Sequence, residues 1–297
     1  MFERILLPLD GSEIAEMILP YGEELARRLG AEVILFHIRG PEHQQDERMH
    51  QMYLDRLANT VKRNIRKRWR KGTEAKVTTI VEAGELPENI CNLVDKTDVG
   101  LIIMAAVSAS GLKVGKMLGS VTDHVCRTVP VPVMLIRPQG IERTEGKKRL
   151  INRILLPLDG SDLSKRALPV GEELAVKLKV PITLFQMAHV IYPYGGEPAP
   201  FVDYEKFSED EARRVRGEII ALEKELREKG LTVTHSVTSG TDAAHEILEA
   251  GKKVGADLVV MSTHGRSGLR RWVLGSVTEK VLRHGEIPLL LVNVRAG

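Results

Sequence analysis

The stretch Arg4-Ile-Leu-Leu-Pro-Leu-Asp-Gly-Ser12 decides the fold, because the chain repeats it unchanged as Arg153-Ile-Leu-Leu-Pro-Leu-Asp-Gly-Ser161. Identity over the whole stretch, at a spacing of 149 positions, indicates an internal duplication. Farther along, Leu118–Thr122 returns as Leu274–Thr278 with the same five residues. The sequence therefore predicts two copies of one domain.

The length of 297 residues suits two domains of about 150 residues each. Residues 138–149 are polar, contain glycine and lack apolar periodicity, which is typical of a linker. We place the boundary near residue 145. The predicted organisation is a first copy at residues 1–140, a linker at 141–150 and a second copy at 151–297.

Short apolar runs alternate with amphipathic helical segments in each copy, and this alternation indicates buried parallel strands joined by helical crossovers. The predicted fold class is α/β, with two doubly wound, parallel, five-stranded, Rossmann-like sheets in tandem. The predicted helices of the first copy are Ile14–Leu29, Met49–Trp69, Pro87–Lys96 and Val121–Thr128. The predicted strands are Ile5–Leu9, Val33–Ile38, Val77–Val81, Leu101–Ala106 and Val131–Ile136, then Ile154–Leu158, Ile182–Met187, Thr232–Val237, Leu258–Met261 and Pro288–Val292.

Composition narrows the classes of partner. The net charge of +3, from 43 basic and 40 acidic residues, is too balanced for nucleic-acid binding by the whole molecule, so we expect no nucleic-acid partner. The basic run Lys62–Lys71 is interpreted as the solvated face of an amphipathic helix. Cys91 and Cys126 form no CxxC pair, and no apolar run approaches 18 residues. We expect no disulfide, no metal site, no membrane contact and a cytoplasmic location.

A glycine-punctuated loop follows the fourth strand of the second copy, with the pattern Ser262-x2-Gly265-x9-Gly275-Ser276. In doubly wound sheets ligands bind beyond the carboxyl ends of the strands. The two glycines let backbone N–H groups approach an anion, and a helix N-terminus follows. Ser276 and Thr278 add hydroxyl donors, and Arg266 adds positive charge. The loop predicts a polyphosphate site.

An interpretation without a ligand is that Ser276 and Glu279 form a capping box, which the first copy keeps as Ser120 and Asp123. The sequence of the loop before the cap differs more between the two copies than the cap itself does. In the first copy Ala105 and Ser108 stand at the first two glycine positions of the pattern, and ten residues rather than nine precede Gly119. We therefore expect phosphate binding mainly in the second copy. Because Pro8, Asp10 and Ile38 still match Pro157, Asp159 and Met187 of the second copy, a weakened pocket in the first copy stays open as an alternative.

These residues resemble the universal stress proteins in their tandem two-domain form. ATP-binding members of that family carry G-x2-G-x9-G-[S/T] after strand four, whereas this chain has Ser262 at the first glycine. The resemblance implies that Pro157 and Asp159 face an adenosine and that Met187 borders its adenine. The full set of expected ligand-binding residues is Pro157, Asp159, Met187, Met261, Ser262, Gly265, Arg266, Gly275, Ser276, Val277 and Thr278.

The function predicted from these features is a stress-response protein that binds ATP or a related adenine nucleotide, with or without Mg²⁺, in its second copy as a binding switch. No catalytic residue is indicated, because Asp10 and Asp159 lack a partner carboxylate. A nucleotide-independent dimerisation scaffold and a slow ATPase stay open as alternatives. The resemblance further implies that domains pair through their last strands, Val131–Ile136 and Pro288–Val292, within the chain or in a homodimer.

Overall fold

A computed structural model describes residues 1–39, 47–68, 76–107, 118–137, 149–190, 203–265 and 274–293. Contacts divide these residues into two compact units. Unit 1 holds the described residues of 1–150 and of 286–293, and unit 2 holds those of 151–265 and 274–285.

Each copy contributes five strands and five helices to the described part of the chain. Those of the first copy are β1 Arg4–Leu9, α1 Glu13–Glu16, α2 Leu19–Leu29, β2 Glu32–Arg39, α3 Glu47–Arg68, β3 Val77–Ala83, α4 Leu86–Lys96, β4 Leu101–Ala105, α5 Ser120–Thr128 and β5 Val133–Ile136. Those of the second copy are β6 Ile154–Leu158, α6 Asp162–Lys165, α7 Ala167–Leu178, β7 Ile182–His189, α8 Tyr204–Glu228, β8 Val233–Gly240, α9 Ala243–Val254, β9 Leu258–Ser262, α10 Ser276–His284 and β10 Leu289–Val292.

The sheet of unit 1 runs in the order β3-β2-β1-β4-β5-β10, and that of unit 2 in the order β9-β6-β7-β8. The strands β1 to β5 pair in parallel, as do β6 to β9. Strand order reverses between β1 and β4 in unit 1 and between β6 and β9 in unit 2. The doubly wound α/β fold is therefore confirmed, and these two points are where ligands of such sheets bind.

The last strand of the chain, β10, lies in unit 1, where it pairs antiparallel with β5. Leu290 stands opposite Met134 in this pairing. All residues of both strands are buried, so the pairing is an apolar contact as well as a hydrogen-bonded one. The last strands of the two copies thus pair within this chain, as the resemblance implied.

The prediction of one continuous helix over Ile14–Leu29 is wrong, because two helices occupy this stretch. The first, α1, ends at Glu16, and α2 begins at Leu19 with Pro20 in its first turn. Proline has no N–H to donate to the preceding turn, so a helix that meets it must restart. The second copy also has two helices here, because α6 ends at Lys165 and α7 begins at Ala167, with Pro169 in the first turn of α7.

The two identical stretches form the central strands β1 and β6, which explains their unbroken apolar character. Every residue of β6 is buried, as is every residue of β1 after Arg4. Helices cover both faces of such a strand, so no position along it can be polar.

Among the described residues, no helix combines the length and the apolar composition that crossing a membrane requires.

Candidate ligand-binding site

Unit 2 contains a cavity of about 200 Å³ at the carboxyl ends of β6 and β9, where its strand order reverses. Arg266, predicted as a further site residue, lies outside the described residues. The other predicted residues are brought together in the wall of this cavity: Pro157, Asp159, Met187, Met261, Ser262, Gly265, Gly275, Ser276, Val277 and Thr278.

The turn after β6 shapes the cavity wall around Asp159. The Oδ1 atom of Asp159 accepts from the backbone N–H of Ser161 at 2.9 Å and from its hydroxyl at 2.6 Å. Gly160 between them has φ +85°, a left-handed conformation that favours glycine. The Ser161 hydroxyl then accepts from Ser164 N–H as the N-cap of α6. The Asp-Gly-Ser sequence is thus a turn and cap that fixes the carboxylate in the cavity wall.

Gly265 approaches that carboxylate so closely that no side chain fits between them. A Cβ atom at position 265 would overlap Oδ2 of Asp159. Gly275 is also constrained, because a Cβ there would lie 3.2 Å from the carbonyl oxygen of Thr263. Its N–H donates to the same oxygen at 2.9 Å and closes the loop. The two glycines therefore allow the loop to pack against Asp159 and against itself.

The predicted capping box at Ser276 and Glu279 is wrong. Gly275 is the N-cap of α10, with extended backbone, and its carbonyl accepts the N–H of Glu279 at 2.8 Å. Ser276 is the first helical residue, one position too late to cap, and the Glu279 carboxylate instead accepts from Arg283 at 2.6 Å.

The first copy behaves in the same way, so its predicted box is wrong too. Gly119 is the N-cap of α5, and Ser120 is the first residue of the helix. Asp123 pairs with Arg127 at 2.7 Å rather than with the cap. A glycine N-cap has no side chain to satisfy the N–H groups of the first turn, which have no acceptor inside the helix. In unit 2 this first turn, Ser276–Thr278, lines the cavity, and such N–H groups at a helix N-terminus are suited to an anionic ligand.

Two hydroxyl groups of the site hold the loop itself. Thr278 is buried, and its hydroxyl donates to the carbonyl oxygen of Ser262 at 3.2 Å. The Ser262 hydroxyl donates to the carbonyl oxygen of His264 at 2.5 Å. The serine that replaces the first glycine of the family pattern therefore turns its polar atom into the loop rather than across the cavity.

His264 carries a buried polar atom that the described residues do not satisfy. Its Nδ1 atom lies 3.0 Å from the Thr263 hydroxyl, whereas Nε2 is buried and has no hydrogen-bond partner among the described residues. The imidazole lines the cavity. An unpaired buried polar atom costs about 1–3 kcal/mol, so a ligand group that pairs with Nε2 would remove this penalty. The residue set fits an anionic ligand group at this end of the cavity.

Sequence reasoning missed the residues at the other end of the cavity. Phe185 and His189 flank Met187 on β7 at a spacing of two, which places all three on one face of the strand. That period could have identified them. Ala243 and Ile247 of α9 also line this end, but nothing in the sequence indicates which helix covers it.

The equivalent position in unit 1 has a cavity of about 90 Å³. Pro8 and Asp10 line it as expected, together with Ser120 and Thr122 of α5. Ile38, the counterpart of Met187, is not among its lining residues. In neither unit do the described residues place three or more His, Cys, Asp or Glu side chains around a possible metal ion.

Comparison with known proteins agrees with this architecture. The model of the universal stress protein family matches residues 1–137 and again residues 151–293. The chain therefore belongs to the universal stress protein family, in a form with two tandem domains.

Two curated relatives illustrate the match. The universal stress protein MJ0531 of Methanocaldococcus jannaschii is 32% identical over 146 residues, which is 49% of this chain and 84% of the relative. The universal stress protein Slr1230 of Synechocystis is 24% identical over 314 residues, which covers 97% of this chain and 99% of the relative. The second match extends through both copies, so a tandem arrangement is shared with that relative.

Solved structures agree on the fold. A universal stress protein from Archaeoglobus fulgidus superposes with a TM-score of 0.69 at 20% identity, covering 98% of each chain. The protein PA1789 of Pseudomonas aeruginosa, described as functionally unknown, superposes with a TM-score of 0.68 at 19% identity, covering 98% of this chain and 92% of its own.

Proposed function

We propose that unit 2 binds an adenine nucleotide, ATP or a relative of it, and that occupancy acts as a switch in a stress response. The observation that carries the proposal is the two-ended character of the cavity in unit 2. At one end stand the first turn of α10 and the Nε2 atom of His264, which has no hydrogen-bond partner among the described residues, and both are suited to phosphate. At the other end stand the apolar side chains of Phe185, Met187 and Ile247.

The shape of the ligand follows from the order of these groups. A flat base would lie against the apolar end, where an aromatic ring and a thioether offer dispersion contacts. The Asp159 carboxylate in the cavity wall can accept hydrogen bonds from ribose hydroxyls. Phosphates would meet the amide groups of the Gly275–Thr278 segment. Mg²⁺ would be bound through the phosphates, because the described residues offer no cluster of metal ligands.

A switch requires that occupancy change the protein. A ligand that binds only folded unit 2 stabilises it by about 2.7 kcal/mol at 100 times the dissociation constant. Gly275 and the first turn of α10 line the proposed site, so a ligand there would stabilise the start of α10. The proposed output is a change in the surface that unit 2 presents to a protein partner.

The test is calorimetric titration of magnesium-ATP into the full chain and into a Gly265→Val, Gly275→Val variant. We expect one nucleotide per chain for the wild type and none for the variant, because each added side chain collides with the loop or with Asp159. Gly217→Val is the matched control, since a Cβ at this exposed helical position meets nothing within 4 Å. Circular dichroism checks that all three proteins are folded.

Two outcomes would change the proposal. Absence of binding to the wild type would favour a nucleotide-independent scaffold. Binding followed by steady release of inorganic phosphate would favour a slow ATPase. We expect no turnover, because Asp159 is the single carboxylate among the described residues of the cavity wall, so no second carboxylate can share its chemistry.

A further inference from the structure

The helices that follow the third strand of each copy, α4 and α9, correspond residue by residue. α4 begins at Leu86 after the N-cap Glu85, and α9 begins at Ala243 after the N-cap Asp242. Their buried faces have the same spacing, with Ile90, Leu93 and Val94 in α4 and Ile247, Ala250 and Gly251 in α9. Leu86 and Ala243 therefore occupy the same place at the start of equivalent helices.

Both of these residues line the cavity of their own unit, but the cavity continues past only one of them. In unit 2 it extends beyond Ala243 to Phe185, Met187 and Ile247. In unit 1 the counterparts Phe36, Ile38 and Ile90 are absent from the lining of the smaller cavity. The opposite end is lined in both units by the same residue types, among them Pro8 and Pro157, Asp10 and Asp159, Gly119 and Gly275, Ser120 and Ser276, Thr122 and Thr278.

We infer that Leu86 closes the apolar end of the unit 1 cavity, which is called the base end because the base would lie there. The residue at this helix position, Leu86 in unit 1 and Ala243 in unit 2, then selects which unit accepts an adenine nucleoside. The physical reason is steric. Leucine carries three more carbon atoms than alanine, and it is placed where the two cavities begin to differ. Leu86 is half-buried in the wall of the unit 1 cavity, and contact between a leucine and the apolar residues there is favourable without a ligand. This inference rests on the proposed nucleotide site of unit 2.

The base end can be separated experimentally from the phosphate end. Unit 1 also differs at Ser108, which replaces Gly265 in the loop but lies outside the described residues. A difference in ATP binding would mix both effects. Adenosine, which has no phosphate, reports on the base end, so it is the probe for this inference.

The experiment titrates adenosine into the full-length wild type, Leu86→Ala, Ala243→Leu and the double variant that swaps both residues. We expect one site in the wild type, two in Leu86→Ala, at least tenfold weaker binding in Ala243→Leu, and one site in the swapped protein. The control His245→Leu adds the same side chain at an exposed position of α9 outside the cavity lining, and it should bind as the wild type does.

Crystal structures of the wild type and Leu86→Ala make the test independent of affinity. A cavity that reaches Phe36 and Ile38 after the substitution supports the inference, even if the wild type binds no nucleoside and the proposed function fails. A cavity that stays near 90 Å³, or an opened cavity with still only one adenosine site while unit 2 binds, would overturn it. If Leu86→Ala does not fold, adenosine titration of Ala243→Leu is the remaining test. An affinity for adenosine unchanged from the wild type in that variant contradicts the inference.

Discussion

The two copies share the hydrogen bonds that build the pocket frame and differ in the side chains that would touch a ligand. In both, a glycine N–H closes the loop after the fourth strand, at 3.1 Å for Gly119 and 2.9 Å for Gly275. In both, a threonine hydroxyl donates to the end of that strand, at 3.0 Å for Thr122 and 3.2 Å for Thr278. The frame therefore belongs to the fold, because unit 1 has it without the glycine pattern of the unit 2 loop.

The ligand-facing positions have diverged. His264 of unit 2 is Val107 in unit 1, Ser262 is Ala105, and Ala243 is Leu86. The changes at His264 and Ser262 remove a polar atom, and the change at Ala243 adds bulk to the cavity wall. The turn made by Asp10 and Ser12, by contrast, repeats that of Asp159 and Ser161 with the same distances. A duplicated domain can change its cavity without changing its fold, because different atoms carry the two properties.

The substitution with the largest expected effect is Gly265→Ser, which gives unit 2 the residue that the first copy has at this position. We expect the affinity for ATP to fall about 100-fold, equivalent to about 2.7 kcal/mol, because a Cβ at 265 overlaps the Asp159 carboxylate and forces the loop away from it. Calorimetry measures the change. Gly217→Ser on α8 is the control, and an unchanged affinity in Gly265→Ser would show that the close approach is unnecessary.

His264→Val, the substitution that the first copy carries naturally, should weaken ATP binding about tenfold. The variant loses a hydrogen-bond donor to the ligand, worth about 1–2 kcal/mol. It also removes a buried nitrogen that lacks a described partner, so the ligand-free protein should melt no lower than the wild type. Thermal unfolding with and without ATP measures both effects. A large loss of stability without nucleotide would show that His264 serves the fold instead.

The shared frame predicts equal effects in the two units. Thr122→Val and Thr278→Val each remove one buried hydroxyl that donates to a strand-end carbonyl. We expect each to lower the free energy of unfolding by about 1 kcal/mol in the absence of nucleotide. Urea denaturation measures it, and the double variant should show the sum, since the sites lie in separate units. An effect in only one unit would mean that the frames are not equivalent.

The smallest expected effect is a dependence on pH confined to the first copy. The pKa of His37 is lowered, chiefly because the side chain is buried and also because His50 lies beside it. The Leu9 carbonyl and Asp10 act in the opposite direction but do not cancel this shift. His37 Nδ1 lies 2.8 Å from the Leu9 carbonyl oxygen, and its Nε2 atom lies 2.8 Å from His50. The unfolded chain, with a histidine pKa near 6.5, then binds more protons than the folded one below that pH.

Unit 1 should therefore lose stability as the pH falls through about 6.5, whereas above that pH the contribution of His37 is fully present. His37→Gln is the matched variant, because the second copy carries Gln186 at this position. Urea midpoints at pH 7.5 and pH 5.5 should differ less in His37→Gln than in the wild type. Equal differences in both proteins would assign the pH dependence to other groups.

The sequence predicted much of this molecule because the decisive signals are local. The repeated Arg4–Ser12 stretch fixed the duplication, and its apolar run fixed a central buried strand. The glycine pattern from Ser262 to Ser276 located the loop. The capping box was placed one residue late, because sequence alone cannot show that the Gly275 carbonyl takes the first helical hydrogen bond. The break at Pro20 was missed although the proline signals it.

The duplication, the alternation of buried strands with helices and the position of the glycine-punctuated loop were determined by the sequence itself, since each is a pattern along the chain. Only the tertiary structure decided which distant side chains meet at the cavity. Asp10 and Leu86 line the same cavity although they lie 76 positions apart, and Asp159 and Gly265 lie more than 100 positions apart, so no local period relates them. Whether a pocket stays open depends on the volume at such a meeting point, and that volume exists only after strands and helices have packed.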